Sequence, residues 1–268
     1  MMIIMSMLFR ILIFLAVTVL PQEALLQYQN SRPTQKGIDK YVNDNSNDFI
    51  DEFQLYVKDS IYADVYITST DLQQLADYDS LELGRTEIFS NSGYEIIIGN
   101  TGKFNDYSLY TVRHKKRLFK SFDQYSQFVK STVVHELSHV YFRQIMMILA
   151  SKDSLNTYYR NVQLYPNPER RYGSEFIEEG LCEYLTRNKG EILEIRDVYK
   201  PETTGDLLDR HNVSQVKYHY SSYYLKDFMD SMVTVKGKVK YGIEVLLTNN
   251  PPNYSEILNP KLYFNRLK

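Results

Sequence analysis

His135-Glu136-Leu137-Ser138-His139 puts two imidazoles and a carboxylate within five residues. Histidines four apart lie on one face of a helix, because the helix repeats every ~3.6 residues. Glu136, about 100° round the axis, flanks whatever the two rings hold without binding it. H-E-x-x-H is the spacing by which one helix offers a zinc ion two ligands and a general base. The plain alternative is a buried helix with two satisfied histidines. Two ligands do not complete a catalytic site: a third protein donor must come from elsewhere, leaving the fourth position to water.

A second helix is expected at Ser174-Glu175-Phe176-Ile177-Glu178-Glu179-Gly180-Leu181-Cys182-Glu183-Tyr184-Leu185, with Ser174 as cap and Asn188 to Gly190 as exit. It is crowded with carboxylates, and a solvated acidic face is the ordinary explanation. Glu175, Glu179 and Glu183 are spaced by four and share a face, whereas Glu178 points about 100° away from Glu179. Gly180 costs a helix about 1 kcal/mol relative to alanine, so its place beside Glu179 implies that backbone approaches something closely. Cys182 reads as a small buried residue rather than a further ligand.

HELSH followed by EEGLCEYL resembles the gluzincin metallopeptidases, whose second motif often reads E-G-hydrophobic-A-E-Y. The resemblance implies a single zinc ion held by His135, His139 and Glu179. It also puts Glu183 one turn along the same face, where it can accept the other imidazole NH of a ligating histidine. Cys182 stands where related sequences commonly have alanine, and the 39 residues between His139 and Glu179 exceed the separation in the best-known gluzincins. Gluzincin-like sequences often continue with a Y-x-x-S-x-x-F helix, which Tyr218, Ser221 and Tyr224 fit loosely within an expected helix from Ser214 to Met232. Tyr218 is then the donor to the oxyanion, with His219, Tyr220 and His211 as substitutes. In a chain with 24 tyrosines, a purely structural Tyr218 is an equal alternative.

The activity so implied is hydrolysis of a peptide or protein by metal-activated water, with Glu136 as base. The competing reading is a catalytically inactive zincin-like domain that serves as an envelope binding module. Retention of Glu136 speaks against it, since a structural site needs no base. An exposed strand aligning the substrate is also expected, with Tyr94 to Ile98 as one candidate.

These groups need elements to hold them. Ser121 to Ala150 reads as the active-site helix, with a capping box at Ser121 to Gln124 and apolar cover from Phe128, Val133, Val134, Leu137, Val140, Tyr141 and Ile145. Before it, Ile61 to Thr68 alternates as a strand, and Ser69 or Thr70 caps a short helix through Leu72 and Leu75. A hairpin joins Thr86–Ser90 to Tyr94–Ile98, and Tyr107 to Val112 forms another strand. Ser151 to Tyr172 reads as a long connection, and Gly242–Leu247 and Leu258–Leu267 as closing helices. Strands first and helices after them imply an α+β, zincin-like domain over residues 52–268: a mixed or antiparallel sheet, then a helical lobe, with the cleft between them.

Residues 1–24 are almost wholly apolar, interrupted by Arg10 and with a polar end, and read as a signal peptide or a retained N-terminal anchor through residues 1–20, hence an exported protein. Residues 25–51 are polar and rich in Asn, Asp, Ser and Gln, and read as a linker. The net charge of −2 excludes a generic nucleic-acid surface, and the basic run Arg113 to Arg117 reads as a solvated turn or strand end. One cysteine excludes an internal disulfide, so the fold stands on its core.

Overall fold

The computed structural model describes residues 35–70, 84–88, 93–99, 109–110, 116–117, 122–160, 168–188, 199–209, 212–213 and 215–267. The chain there opens with helix α1, Gln35–Val57. Ile38, Val42, Phe49, Phe53 and Val57 recur at helical spacing and are all buried, so the shared face carries the helix. This corrects the linker reading of residues 25–51, because 35–51 form most of α1. Spacing, rather than the tally of polar residues around it, decides whether a segment can bury a face. Residues 1–34, with the expected leader, and the short helix expected through Leu72 and Leu75 lie outside the described residues.

Strands β1 (Asp64–Thr70), β2 (Gly84–Ile88) and β3 (Gly93–Gly99) form one mixed sheet in the order β1-β3-β2. β1 runs parallel to β3 and β2 antiparallel to it, with Thr86 opposite Ile96. The central strand carries Tyr94, Ile96, Ile97 and Ile98, all buried, in keeping with neighbours on both edges. Tyr94–Ile98 is therefore excluded as the strand that receives a substrate, because both its edges are occupied. Among the described residues the sheet's outer strands are β1 and β2. The strand expected over Tyr107–Val112 shrinks to β4 (Leu109–Tyr110), which pairs with β5 (Lys116–Arg117). The end of the basic run is thus a strand, and Arg113 to Lys115 are not described.

The helix that carries His135 and His139 is α2, Phe122–Ser151, with Val133, Val134, Leu137, Val140, Tyr141 and Ile145 buried as the sequence implies. Asp153, at φ 56°, ends it by turning the Ser154 amide back onto Leu149 O at 2.9 Å. The stretch expected as a long connection holds a short helix, α3 (Thr157–Arg160), and the first turns of α4 (Pro168–Asn188). Pro168 suits a first helical position, since its missing N–H would have had no partner there. Ser174 is consequently not a cap: it lies inside α4 and donates to Arg170 O.

After α5 (Thr204–Leu208), the helix expected from Ser214 to Met232 divides into a π-helical turn, Gln215–Tyr220, and α6, Ser221–Lys236. Helix α7 (Val239–Thr248) follows, then α8 (Tyr254–Leu258) and α9 (Pro260–Arg266), where one closing helix over Leu258–Leu267 is expected. Helix α2 packs on the sheet through β2 and β3 and on α4 from another side, and α4 packs against the π-helix and α6. The fold is mostly helical with one small mixed sheet, a loose α+β arrangement. No helix among the described residues is long and apolar enough to cross a membrane.

Candidate metal centre

His135 and His139 project from one face of α2, their ring centroids 5.0 Å apart. Both meet α4. Glu179 Oε2 lies 3.4 Å from His135 Nε2 and 3.5 Å from His139 Nε2. That oxygen is buried and has no hydrogen-bond partner, an unusual state for a carboxylate. Two donors that each stand about 2.1 Å from one tetrahedral zinc are about 3.4 Å apart, so the carboxylate fits a shared ion. His135, His139 and Cys182 also form a cluster that could hold a metal ion, with one ligand atom of each within 4.8 Å of the others. Cys182 is fully buried, as its small size implies.

The remaining ring nitrogens face carboxylates as well. Glu183 Oε1 is 3.4 Å from His135 Nδ1. Glu178 Oε1 is 2.8 Å from His139 Nδ1, and Arg143 Nε lies 3.8 Å from the same oxygen. Sequence reasoning set Glu178 aside because it points away from Glu179. The two histidines stand a full turn apart on α2, however, and α4 lies across them, so neighbouring directions on α4 each meet a ring.

Burial opposes the charged form of His135, but the Glu179 and Glu183 carboxylates outweigh it and hold its pKa well above the usual imidazole value. His139 is likewise raised against burial, by Cys182, Glu178 and Glu179. Burial would raise Glu179, yet the two imidazoles hold it far below the ordinary carboxylate range. The Cys182 thiol is pushed up by burial, which the two histidines only partly offset.

Glu136 is buried and faces the sheet, where Thr86 on β2 donates its hydroxyl to Glu136 Oε2 at 2.6 Å. Nothing in the spacing around Thr86 singles it out. Tyr218, on the π-helix, brings its ring to 6.0 Å from the His135 ring. Its phenol is raised by burial first and by Glu179 next, so it keeps its proton. Of the substitutes, Tyr220 is turned away and donates to Ile257 O, and His211 lies outside the described residues. Gly180 meets the close approach expected of it: a Cβ there would lie 2.3 Å from Ser221 Oγ and 2.5 Å from Ser221 Cβ. Helix α4 can therefore press against the start of α6 only because residue 180 is glycine.

The centre thus gathers His135, His139, Glu179, Glu183, Glu136 and Tyr218, drawn from α2, α4 and the π-helix, and adds Glu178, Cys182 and Thr86. Comparison with protein-family models, with curated proteins and with solved structures finds no match.

Proposed function

We propose that this protein is a zinc-dependent peptidase of gluzincin type, in which His135, His139 and Glu179 hold the ion and Glu136 is the general base. The observation that carries the reading is the single buried oxygen of Glu179, unpartnered and within 3.5 Å of Nε2 on both histidines, beside a carboxylate one residue along from His135. The resemblance of HELSH and EEGLCEYL to the gluzincin motifs supports it further.

Bound between these residues, zinc would supply Lewis acidity and a water acidic enough to ionise near neutral pH. Glu136 accepts the proton of the attacking water and passes it to the leaving amine. Glu178 and Glu183 fix the ring orientations of the two histidines by accepting at Nδ1. Tyr218, protonated across the physiological range, offers its hydroxyl to the oxyanion. β2, an outer strand of the sheet among the described residues and against α2, is the strand along which an extended peptide aligns by main-chain pairing. In this reading the sheet, α2 and α4 serve as the parts of a zincin-like domain. The substrate is a peptide or protein outside the cytoplasm, since the apolar segment of residues 1–20 reads as a leader or anchor.

The test is hydrolysis of a mixed peptide library by the zinc-loaded protein beside Glu136→Gln, with metal content measured for Glu179→Gln and Cys182→Ala. Cleavage by the parent, a loss of about a hundredfold or more in Glu136→Gln, and loss of zinc in Glu179→Gln but not in Cys182→Ala are expected. A parent that binds one zinc and cleaves nothing overturns the peptidase reading. Loss of zinc in Cys182→Ala alone transfers the third ligand to the thiol.

A further inference from the structure

β2 touches α2 at two points that share a register. A Cβ at Gly84 would lie 2.5 Å from Thr132 Cγ2, and Thr86 Oγ1 lies 2.6 Å from Glu136 Oε2. Two residues along a strand advance about 6.7 Å and four along a helix about 6.0 Å. The two contacts therefore repeat in step, and strand and helix lie together over that length. Gly84 permits the approach and Thr86 exploits it.

Glu136 is 7% exposed, so an ionised carboxylate there needs donors in place of water. The Thr86 hydroxyl is such a donor, and it lies 3.4 Å from the Glu136 backbone carbonyl as well, close over the helix rather than at the end of a flexible reach. Threonine is β-branched and stiff at χ1, which holds the hydroxyl where the strand aims it. A glutamate has three rotatable bonds, and α2 alone fixes only where they begin.

We propose that Thr86 is the positioning residue of the base. Its hydroxyl donates to Oε2 and fixes the Glu136 carboxylate, leaving Oε1 as the oxygen that takes the proton. The inference rests on the peptidase reading for its kinetic consequence and on geometry alone for the carboxylate's conformation.

Thr86→Val removes the hydroxyl and keeps the shape and strand preference, Thr86→Ser restores the hydroxyl, and Thr86→Ala is the second removal should valine fail to fold. Steady-state kinetics, zinc affinity and crystal structures of these variants decide the matter. In Thr86→Val, kcat falls by about tenfold to a hundredfold with KM nearly unchanged, while Thr86→Ser stays close to the parent and zinc affinity is the same in all. In the crystals the Glu136 carboxylate leaves its position in Thr86→Val and holds it in Thr86→Ser. A parental kcat in Thr86→Val, or a carboxylate unmoved in its crystal structure, overturns the proposal. If the parent cleaves no peptide, the peptidase reading falls by itself and the crystallographic comparison still decides the role of Thr86.

Discussion

Glu178 Oε1 accepts from His139 Nδ1 at 2.8 Å, the shortest of the contacts that join α4 to the two histidines. His135 makes the looser counterpart with Glu183, at 3.4 Å. With Nδ1 of His139 engaged by Glu178, Nε2 of the same ring is turned toward Glu179, 3.5 Å from its Oε2.

Replacing Glu178 should therefore weaken the metal without removing a ligand. Glu178→Gln is expected to lower zinc affinity by about tenfold or somewhat more, measured by competition with a chelator. An affinity equal to the parent's would mean that the helix alone orients the ring.

Gly180→Ala tests the contact between α4 and α6. The added methyl meets Ser221 Oγ and Cβ, neither of which is the far end of a long side chain. Overpacking of this kind costs about 1–3 kcal/mol, and alanine's better helix propensity returns about 1 kcal/mol. Net destabilisation by up to about 2 kcal/mol is expected, seen as a lower thermal midpoint, with a fall in peptide turnover as Tyr218 is displaced from His135. Ser221→Gly in the same chain should recover both. An alanine variant about 1 kcal/mol more stable than the parent would show that α6 yields without cost.

Asp59 gives the fold a pH dependence away from the candidate metal centre. Burial would raise its pKa, but hydrogen bonds from Lys240 and Tyr141, and from the Ser60 amide, leave it below the usual value. A depressed carboxylate adds stability that is fully present above the unfolded pKa, about 3.9, and is lost as the pH falls through the folded value. In chelator-treated protein, the midpoint advantage of the parent over Asp59→Asn should hold from pH 7 to about 5 and shrink below about 4. A gap that stays constant down to pH 3 would remove Asp59 from the acid response.

The face of α2 that carries the histidines was legible because its partners in chemistry and in packing recur at one period, and Val133, Leu137 and Val140 are buried as that period requires. The carboxylate spacing of α4 was legible in the same way. Helix α1 is hard to see in the sequence because Ile38, Val42, Phe49, Phe53 and Val57 are diluted among Asn, Asp and Ser, so the polar composition masks their spacing. Glu178 and Thr86 were not legible at all. One depends on how α4 crosses α2, and the other on which strand comes to lie beside α2. Neither relation exists within any single segment. Strand order is equally silent in the sequence, so a strand as apolar as β3 can be taken for an edge when it is the centre.

β2 is only five residues long, yet it carries Thr86 on the face toward Glu136 and, among the described residues, lies at the border of the sheet. Side chains alternate along a strand, so a slip of one residue against β3 would bring Arg85 or Glu87 round in place of Thr86. The alignment of one carboxylate on a helix thus reports the pairing of a strand. Any peptide that joined that border would have to accept the pairing already made, or disarm the site it came to use.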